Sequence, residues 1–335
     1  MKRIAVLVLG LLICSLSFAA APRASHTSSG QKGFVSIGTN RELYVDWSYA
    51  QPGQATVVLL NGLTYSTKDW DKFSEALIAK GVGVLRYDPV GMGQTLLKYA
   101  PILAPIKIED QAKDLNRLLK KLQVPTPYNL VGLSYGGGLA FAYADQFKET
   151  IGNLIAMSPF TEPLASQDQW IKSQVWYTRQ MQPWNPYSDD DLYDYFLKQI
   201  VYTTYPSAEP SVLENPFKLE GVFRMAQGIR HFLSSSSYLL LPAKSLHLMI
   251  AGKDQYIPRD ILEGFWNKSS AASRATKVIV NGSEHKIPEA VPAFAASWVK
   301  LIVDKDPQLE QSQIYEADPQ SGVVKFDGGK FKVQK

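Results

Sequence analysis

The amino-acid sequence predicts an α/β protein: a doubly wound, mostly parallel sheet carrying a helical insertion. Three observations predict it. Short, continuous apolar runs recur along the chain, amphipathic stretches of helical period separate them, and this alternation breaks between residues 160 and 241. Continuous hydrophobicity marks a strand buried on both faces, and strands alternating with helices build parallel βαβ units.

The first elements stand apart. Met1-Lys2-Arg3 is a positive start, residues 4–16 are almost unbroken apolar, and Phe18-Ala19-Ala20-Ala21-Pro22 supplies small residues. Positive, apolar, then small is the pattern of a secretory signal, so residues 1–21 are expected to be removed on export to the periplasm or medium. The apolar run falls short of the roughly 20 residues of a spanning helix, so no stable membrane span is expected after cleavage. A lipid attachment at Cys14 is disfavoured by Ile13, which sits where such sites usually want a small residue. Cys14 is the only cysteine. The mature chain would then have no thiol, which excludes a disulfide scaffold, a cysteine nucleophile and thiolate metal sites.

Residues 22–32 read as a polar, flexible leader. Residues 33–47 alternate weakly and suggest two antiparallel strands joined near Thr39-Asn40. The buried-strand runs follow at Thr56–Leu60, 82–87, Tyr128–Leu133, 153–157, 245–251 and 276–280. Helical stretches lie at 70–79, at 108–122 with Leu115, Leu118, Leu119 and Leu122 in phase, and at Pro292–Val303. Residues 33–160 and 242–304 thus form the core, and 161–241 a helical cap over the sheet's working edge. The cap is dense in aromatics (Trp170, Trp176, Trp184, Tyr177, Tyr187, Tyr193, Tyr195, Tyr202, Tyr205). Most of these are expected to pack within the cap and the remainder to line a substrate cavity. Residues 305–335 are a largely polar tail with a hairpin signal at Asp327-Gly328.

Gly132-Leu133-Ser134-Tyr135-Gly136 follows the run Tyr128–Leu133 directly and precedes a helix-compatible stretch. A serine between strand and helix, flanked two residues away by glycines, can sit at a sharp turn with its hydroxyl exposed. The pattern alone recurs by chance in roughly one chain in ten of this size, so its context carries the weight. A serine nucleophile needs a base. Of four histidines, His26 lies in the leader, His231 in the insertion and His247 within a strand run. His285 lies in a loop after the last core strand, at the carboxyl edge where open α/β sheets bind ligands. Asp254, one turn after the strand ending near Ile250, is the candidate carboxylate to orient it. For the oxyanion hole the candidate donors are the amides of Tyr135 and of Leu63, with Gly62 permitting a tight path.

Taken together, LLNGL at 59–63, RYDPVGMGQT at 86–95, GLSYGG at 132–137, AGKDQYIP at 251–258 and NGSEHKIPE at 281–289 resemble the α/β-hydrolase superfamily, especially its cap-bearing esterase, lipase and aminopeptidase-like branch. The resemblance spans residues 33–304. It implies the α/β-hydrolase fold, a Ser134–Asp254–His285 triad in the family's chain order, and a small-molecule acyl substrate. The family usually has His-Gly where this chain has Asn61-Gly62, so the supports of the oxyanion loop are expected to differ. The stretch at 86–95 implies a structural loop.

Other chemistries are excluded. The formal net charge is +4 with no basic run, so no nucleic-acid partner is expected. The glycines at 91 and 93 are followed by Leu96, which breaks a dinucleotide fingerprint. No histidine pair has metal-ligand spacing, so neither metal nor cofactor is expected. Carboxylic-ester hydrolysis leads. The alternatives are an exopeptidase, a lactonase or a C–C hydrolase on the same triad, and a non-catalytic binding protein on a hydrolase scaffold. An exopeptidase would need a cap acid, and Glu162, Asp168, Asp189, Asp190, Asp191 and Glu209 are candidates.

Overall fold

The computed structural model describes residues 30–204, 210–234 and 241–333. The proposed signal peptide, Cys14, His26, Tyr205 and Glu209 lie outside them. β1 (Gly30–Gly38) and β2 (Arg41–Ser48) are antiparallel and turn through Thr39-Asn40, where Asn40 takes φ 57°. β1 begins inside the expected leader, because Gly30 to Lys32 continue the pairing with Asp46 to Ser48.

Each of the six buried runs is a strand: β3 (Thr56–Leu60), β4 (Gly83–Asp88), β5 (Tyr128–Leu133), β6 (Ile151–Met157), β7 (Leu246–Lys253) and β8 (Arg274–Glu284). The sheet order is β1-β2-β4-β3-β5-β6-β7-β8, continued by three strands of the tail. From β4 to β8 the pairing is parallel. Period-2 alternation splits each strand between two cores. Val58, Leu60, Leu130, Leu154 and Leu248 face one core, completed by α3 (Ile108–Lys121), α4 (Tyr135–Phe147) and the helix Arg259–Lys268. Val57, Leu59, Val131, Ile155 and Met249 face the other, completed by α1 (Asp71–Ile78) and the helix Pro292–Val303. Burial on both faces is why these runs lack a polar period.

α2 (Gly93–Tyr99) begins within the stretch 86–95 expected to be a loop and runs past it. Its first turn is held from a distance, the Asp88 carboxylate accepting the Gln94 N–H at 2.8 Å. The tail also departs from expectation. β9 (Gln313–Asp318) pairs in parallel with β8, and β10 (Val323–Phe326) and β11 (Gly329–Lys332) extend the same sheet. The Asp327-Gly328 hairpin is therefore an edge of the main sheet. Trp298 stacks on Phe331 and meets Tyr315 edge-on.

Between β6 and β7 lie α5 (Ala165–Met181), α6 (Asp189–Thr204), α7 (Pro210–Glu214) and α8 (Lys218–Gly228). Ile171, Val175, Leu192, Leu197, Val222 and Phe223 give them a small core of their own, and Leu63 packs against it from below.

At the amino edge of the sheet His247 is buried on β7, with Nδ1 at 2.9 Å from Thr276 Oγ1 and Nε2 at 3.2 Å from Asn153 Oδ1. Burial pushes its pKa from 6.5 down to about 3. A histidine depressed in the fold stabilises it fully above the unfolded value. That contribution is lost as pH falls from 6.5 toward 3, because the unfolded chain takes the proton first. His247→Gln is expected to flatten this limb. Urea unfolding at pH 7, 5 and 4 should show wild type losing more stability on acidification than the variant; parallel losses would remove His247 from the acid response.

Candidate functional site

The strand order reverses around β3, whose neighbours are β4 on one side and β5 on the other. Loops leaving the carboxyl ends of β3 and β5 diverge there and open a crevice. Leu63 follows β3 and Ser134 follows β5. A cavity of about 660 Å³ opens above them, and Leu63, Ser134, Phe160, Tyr193, Arg230 and His285 are among its lining residues.

Ser134 stands at the turn from β5 into α4 with φ 52° and ψ −115°. Four backbone bonds pin it: its N–H donates to Met157 O at 2.9 Å, and its carbonyl accepts from Gly137 and Phe160 at 2.9 Å each and from Gly138 at 3.2 Å. A side chain on Gly136 would run into the Leu60 carbonyl, and one on Gly132 into the Gly136 carbonyl. The two glycines are thus a steric requirement of this turn. A strained residue held by its surroundings is common where function resides.

His285 and Asp254 meet across the ends of β8 and β7. His285 Nδ1 lies 2.9 Å from Asp254 Oδ1 and 2.8 Å from Oδ2, with both side chains almost fully buried. An Nδ1–H donating to the carboxylate leaves Nε2 as the ring's acceptor. Asp254 is fixed in turn, Oδ1 accepting the N–H groups of Tyr256 and Ile257 at 2.9 Å each. Burial pushes its carboxyl up. The His285 contact, the Ile257 N–H and the Ser158 hydroxyl outweigh that, so its pKa lies below the ordinary carboxylate range.

Ser134 and His285 share the cavity wall, and among the described residues no hydrogen bond joins them. Contacts of this kind are often long in an unliganded site and tighten on binding. The Tyr135 and Leu63 amides make no backbone hydrogen bond among the described residues. Tyr135 N–H opens α4, where the helix dipole favours negative charge. Gly62, expected to be needed for a tight path, is not: its φ is ordinary, and a Cβ there would sit 3.5 Å from Leu133.

The loop after β3 that carries Leu63 has supports that the motifs do not announce. Asn61 is buried and accepts the Trp70 indole N–H at 2.8 Å, while its amide donates to Tyr87 O at 3.2 Å and Asp88 Oδ1 at 3.4 Å. Asp88 also accepts the Thr67 N–H at 2.7 Å. Burial pushes its pKa up to about 6 although three donors oppose this. One carboxylate therefore ties the loop after β3 to α2. Ser158, Gln255 and Tyr256 were not predicted either. The Ser158 hydroxyl accepts the Ala251 N–H at 3.1 Å, and the Tyr256 ring meets the His285 ring edge-on at 5.1 Å. Gln255 and Tyr256 adjoin Asp254 in sequence, which is the signal that could have found them.

The cap aromatics correct the sequence reading. Trp170, Trp176, Tyr177, Trp184, Tyr187, Tyr195 and Tyr202 are exposed on the outer side of α5, α6 and their connection. Of the aromatic set, Tyr193 reaches the cavity, whose other aromatic wall comes from Phe160, Tyr65 and Tyr256. The helices turn their aliphatic stripe inward because Ile171, Val175, Leu197 and Val201 make the cap's core. His231 is exposed in the turn after α8.

The elbow yields a direct test. Gly136→Ala should destabilise the fold by about 3 kcal/mol or more in urea unfolding, because Leu60 and Ser134 cannot both stay in place. A change under about 1 kcal/mol would mean that the turn relaxes freely.

A profile of the α/β-hydrolase fold family matches residues 55–200. Among solved structures, a thermophilic esterase from Thermogutta terrifontis is 19% identical with a TM-score of 0.57, covering 83% of this chain and 98% of that one. An esterase from Exiguobacterium antarcticum is also 19% identical at TM-score 0.57, covering 81% of this chain and 100% of that one. A membrane phospholipase A, described as a bacterial virulence factor, is 16% identical at TM-score 0.59, covering 83% and 87%. At such identities the likeness speaks for the fold. With the parallel sheet, the family profile and these shared architectures in agreement, the chain has the α/β-hydrolase fold.

Proposed function

We propose that the chain is a serine hydrolase that cleaves a carboxylic ester or related acyl bond through an acyl-enzyme. The observation that carries this reading is the bidentate His285–Asp254 contact, on the wall of the cavity that also holds the strained Ser134. Ser134 Oγ attacks the carbonyl carbon, and its proton passes to His285 Nε2. Asp254 keeps the other ring nitrogen protonated and stabilises the imidazolium. The developing oxyanion is held by the Tyr135 and Leu63 amides, each worth about 3 kcal/mol in such a role. His285 then protonates the leaving alcohol. Water, activated by the same imidazole, releases the acid and regenerates Ser134. The esterase neighbours favour an ester over other acyl bonds, and the signal-like residues 1–21 make the enzyme an exported one.

The exopeptidase alternative requires a cap carboxylate free to take a substrate ammonium. Asp168 lines the cavity, but its Oδ1 accepts the Tyr193 hydroxyl at 3.0 Å and its Oδ2 meets Lys172 Nζ at 2.6 Å. Glu162, Asp189, Asp190 and Asp191 are exposed and lie outside the lining. A saturated carboxylate is a poor amine receptor, which favours the ester reading.

Ser134→Ala is expected to lower kcat/KM on 4-nitrophenyl butyrate by at least about 10⁴-fold, with an unchanged melting temperature. It should also abolish labelling by a fluorophosphonate. Turnover surviving in the folded variant would end the serine mechanism. Asp254→Asn should keep labelling slow but measurable and cost about 10³- to 10⁴-fold in kcat, since the wrong tautomer is then favoured. A loss under tenfold would remove Asp254 from the mechanism.

A further inference from the structure

The charged groups around the cavity are unevenly engaged. Its lining carries one carboxylate, Asp168, and two cations, Arg230 and Lys286, besides His285. Asp168 is engaged within the cap, Oδ1 accepting the Tyr193 hydroxyl and Oδ2 meeting Lys172, a well-solvated lysine. The Lys172 ammonium, with the Tyr193 hydroxyl, holds its carboxyl below the ordinary range.

Arg230 is differently placed. It follows α8, and its guanidinium carbon sits 3.6 Å from the centroid of the Tyr193 ring. Its one salt bridge among the described residues is Nη1 to Asp190 Oδ1 at 3.0 Å. The Arg230 side chain is 20% exposed whereas that of Asp190 is 82% exposed. A pair with one fully hydrated partner contributes little and exchanges readily. The Tyr193 face, in contrast, holds the guanidinium plane in a preset orientation. A guanidinium offers five donors in a fork matched to a carboxylate or phosphate; Asp190 takes Nη1 and the Tyr193 hydroxyl also engages the group, which leaves the remaining donors to a ligand. Lys286, next to His285, has Glu289 as its ion-pair partner at 3.5 Å, and both are about two-fifths exposed. The cavity wall therefore carries two cations, one on the cap with Asp168 near it and one on the core.

From this juxtaposition we infer that the site selects acyl substrates that carry an oxyanion, a carboxylate or a phosphate, at a point remote from the scissile carbonyl, and that Arg230, stacked on Tyr193, is the residue that receives it. This rests on the hydrolase reading for the word substrate, while the anion subsite itself needs no turnover. A remote anchor of this kind positions the acyl group before attack, so its binding energy appears in kcat/KM for the charged substrate.

The test uses the full chain in two arms. The first measures binding to Ser134→Ala by calorimetry with hexanol, hexanoate and hexyl phosphate at fixed, low salt. One of the two anions is expected to bind at least about tenfold more tightly than hexanol, as a charge-assisted hydrogen bond gives, and which one does so tells carboxylate from phosphate. The second compares mono-4-nitrophenyl adipate with 4-nitrophenyl hexanoate in wild type, Arg230→Gln and Arg230→Lys. The charged-to-neutral ratio of kcat/KM should fall about tenfold or more in Arg230→Gln and recover in part in Arg230→Lys; this arm reads the carboxylate, and hexyl phosphate inhibition replaces it for a phosphate site. Equal binding of hexanol and both anions would overturn the inference. So would an Arg230→Gln variant in which charged and neutral ligands change by the same factor. If no ester is turned over yet the anion preference and its dependence on Arg230 persist, the hydrolase reading falls and the subsite stands.

Discussion

The site depends on a single backbone constraint, the left-handed turn at Ser134. With φ 52° the chain reverses from β5 into α4 in one residue, which is sterically possible because Gly132 and Gly136 leave room for the Leu60 and Gly136 carbonyls. The strain is offset by hydrogen bonds to Met157, Gly137 and Phe160, contributed by β6, by α4 itself and by the loop after β6. The turn brings Ser134 to the cavity wall at the start of α4 and leaves the Tyr135 side chain buried, its hydroxyl donating to Gln111 at 2.7 Å.

The remaining groups are brought to that turn by the sheet. Parallel strands place their carboxyl ends on one edge, so loops distant in sequence share a rim. His285 and Asp254 leave adjacent strands and close on each other with two contacts under 3 Å. On the other side Asp88 gathers the loop after β3 and the start of α2, and Asn61 fills the place where relatives by motif carry histidine. Its amide has a donor and an acceptor end, and both are used, toward Tyr87, Asp88 and Trp70. The loop bearing Leu63 keeps its position by a different set of bonds.

Above the rim, the cap closes over the cavity wall that the core strands provide. Its helices bury an aliphatic stripe, present aromatics to solvent, and send Tyr193, Asp168 and Arg230 toward the cavity. Asp168 and Arg230 have opposite charge and each is ion-paired to a solvated partner, Lys172 and Asp190, while Asp168 also accepts the Tyr193 hydroxyl.

Much of the fold was legible because the parallel strands are buried on both faces and read as continuous apolar runs, β3 and β5 to the residue. The turn at Ser134 and the meeting of Asp254 with His285 were legible for a related reason: a fixed spacing around Ser134 and loops at predictable strand ends. What sequence hid was held by distant contacts. α2 lies in a glycine-rich stretch and is capped by Asp88, so no local signal marks it. β9 reads as polar because only Tyr315 and Ala317 point inward while Glu316 and Asp318 face solvent. The cap aromatics were misleading since a helix shows its neighbours a stripe, and aliphatic residues on α5, α6 and α8 took that stripe. Local geometry and burial are written along the chain and can be read there. Which charges remain available, and which loop supports which, depends on partners far apart in sequence, and only the folded arrangement brings them within hydrogen-bonding distance.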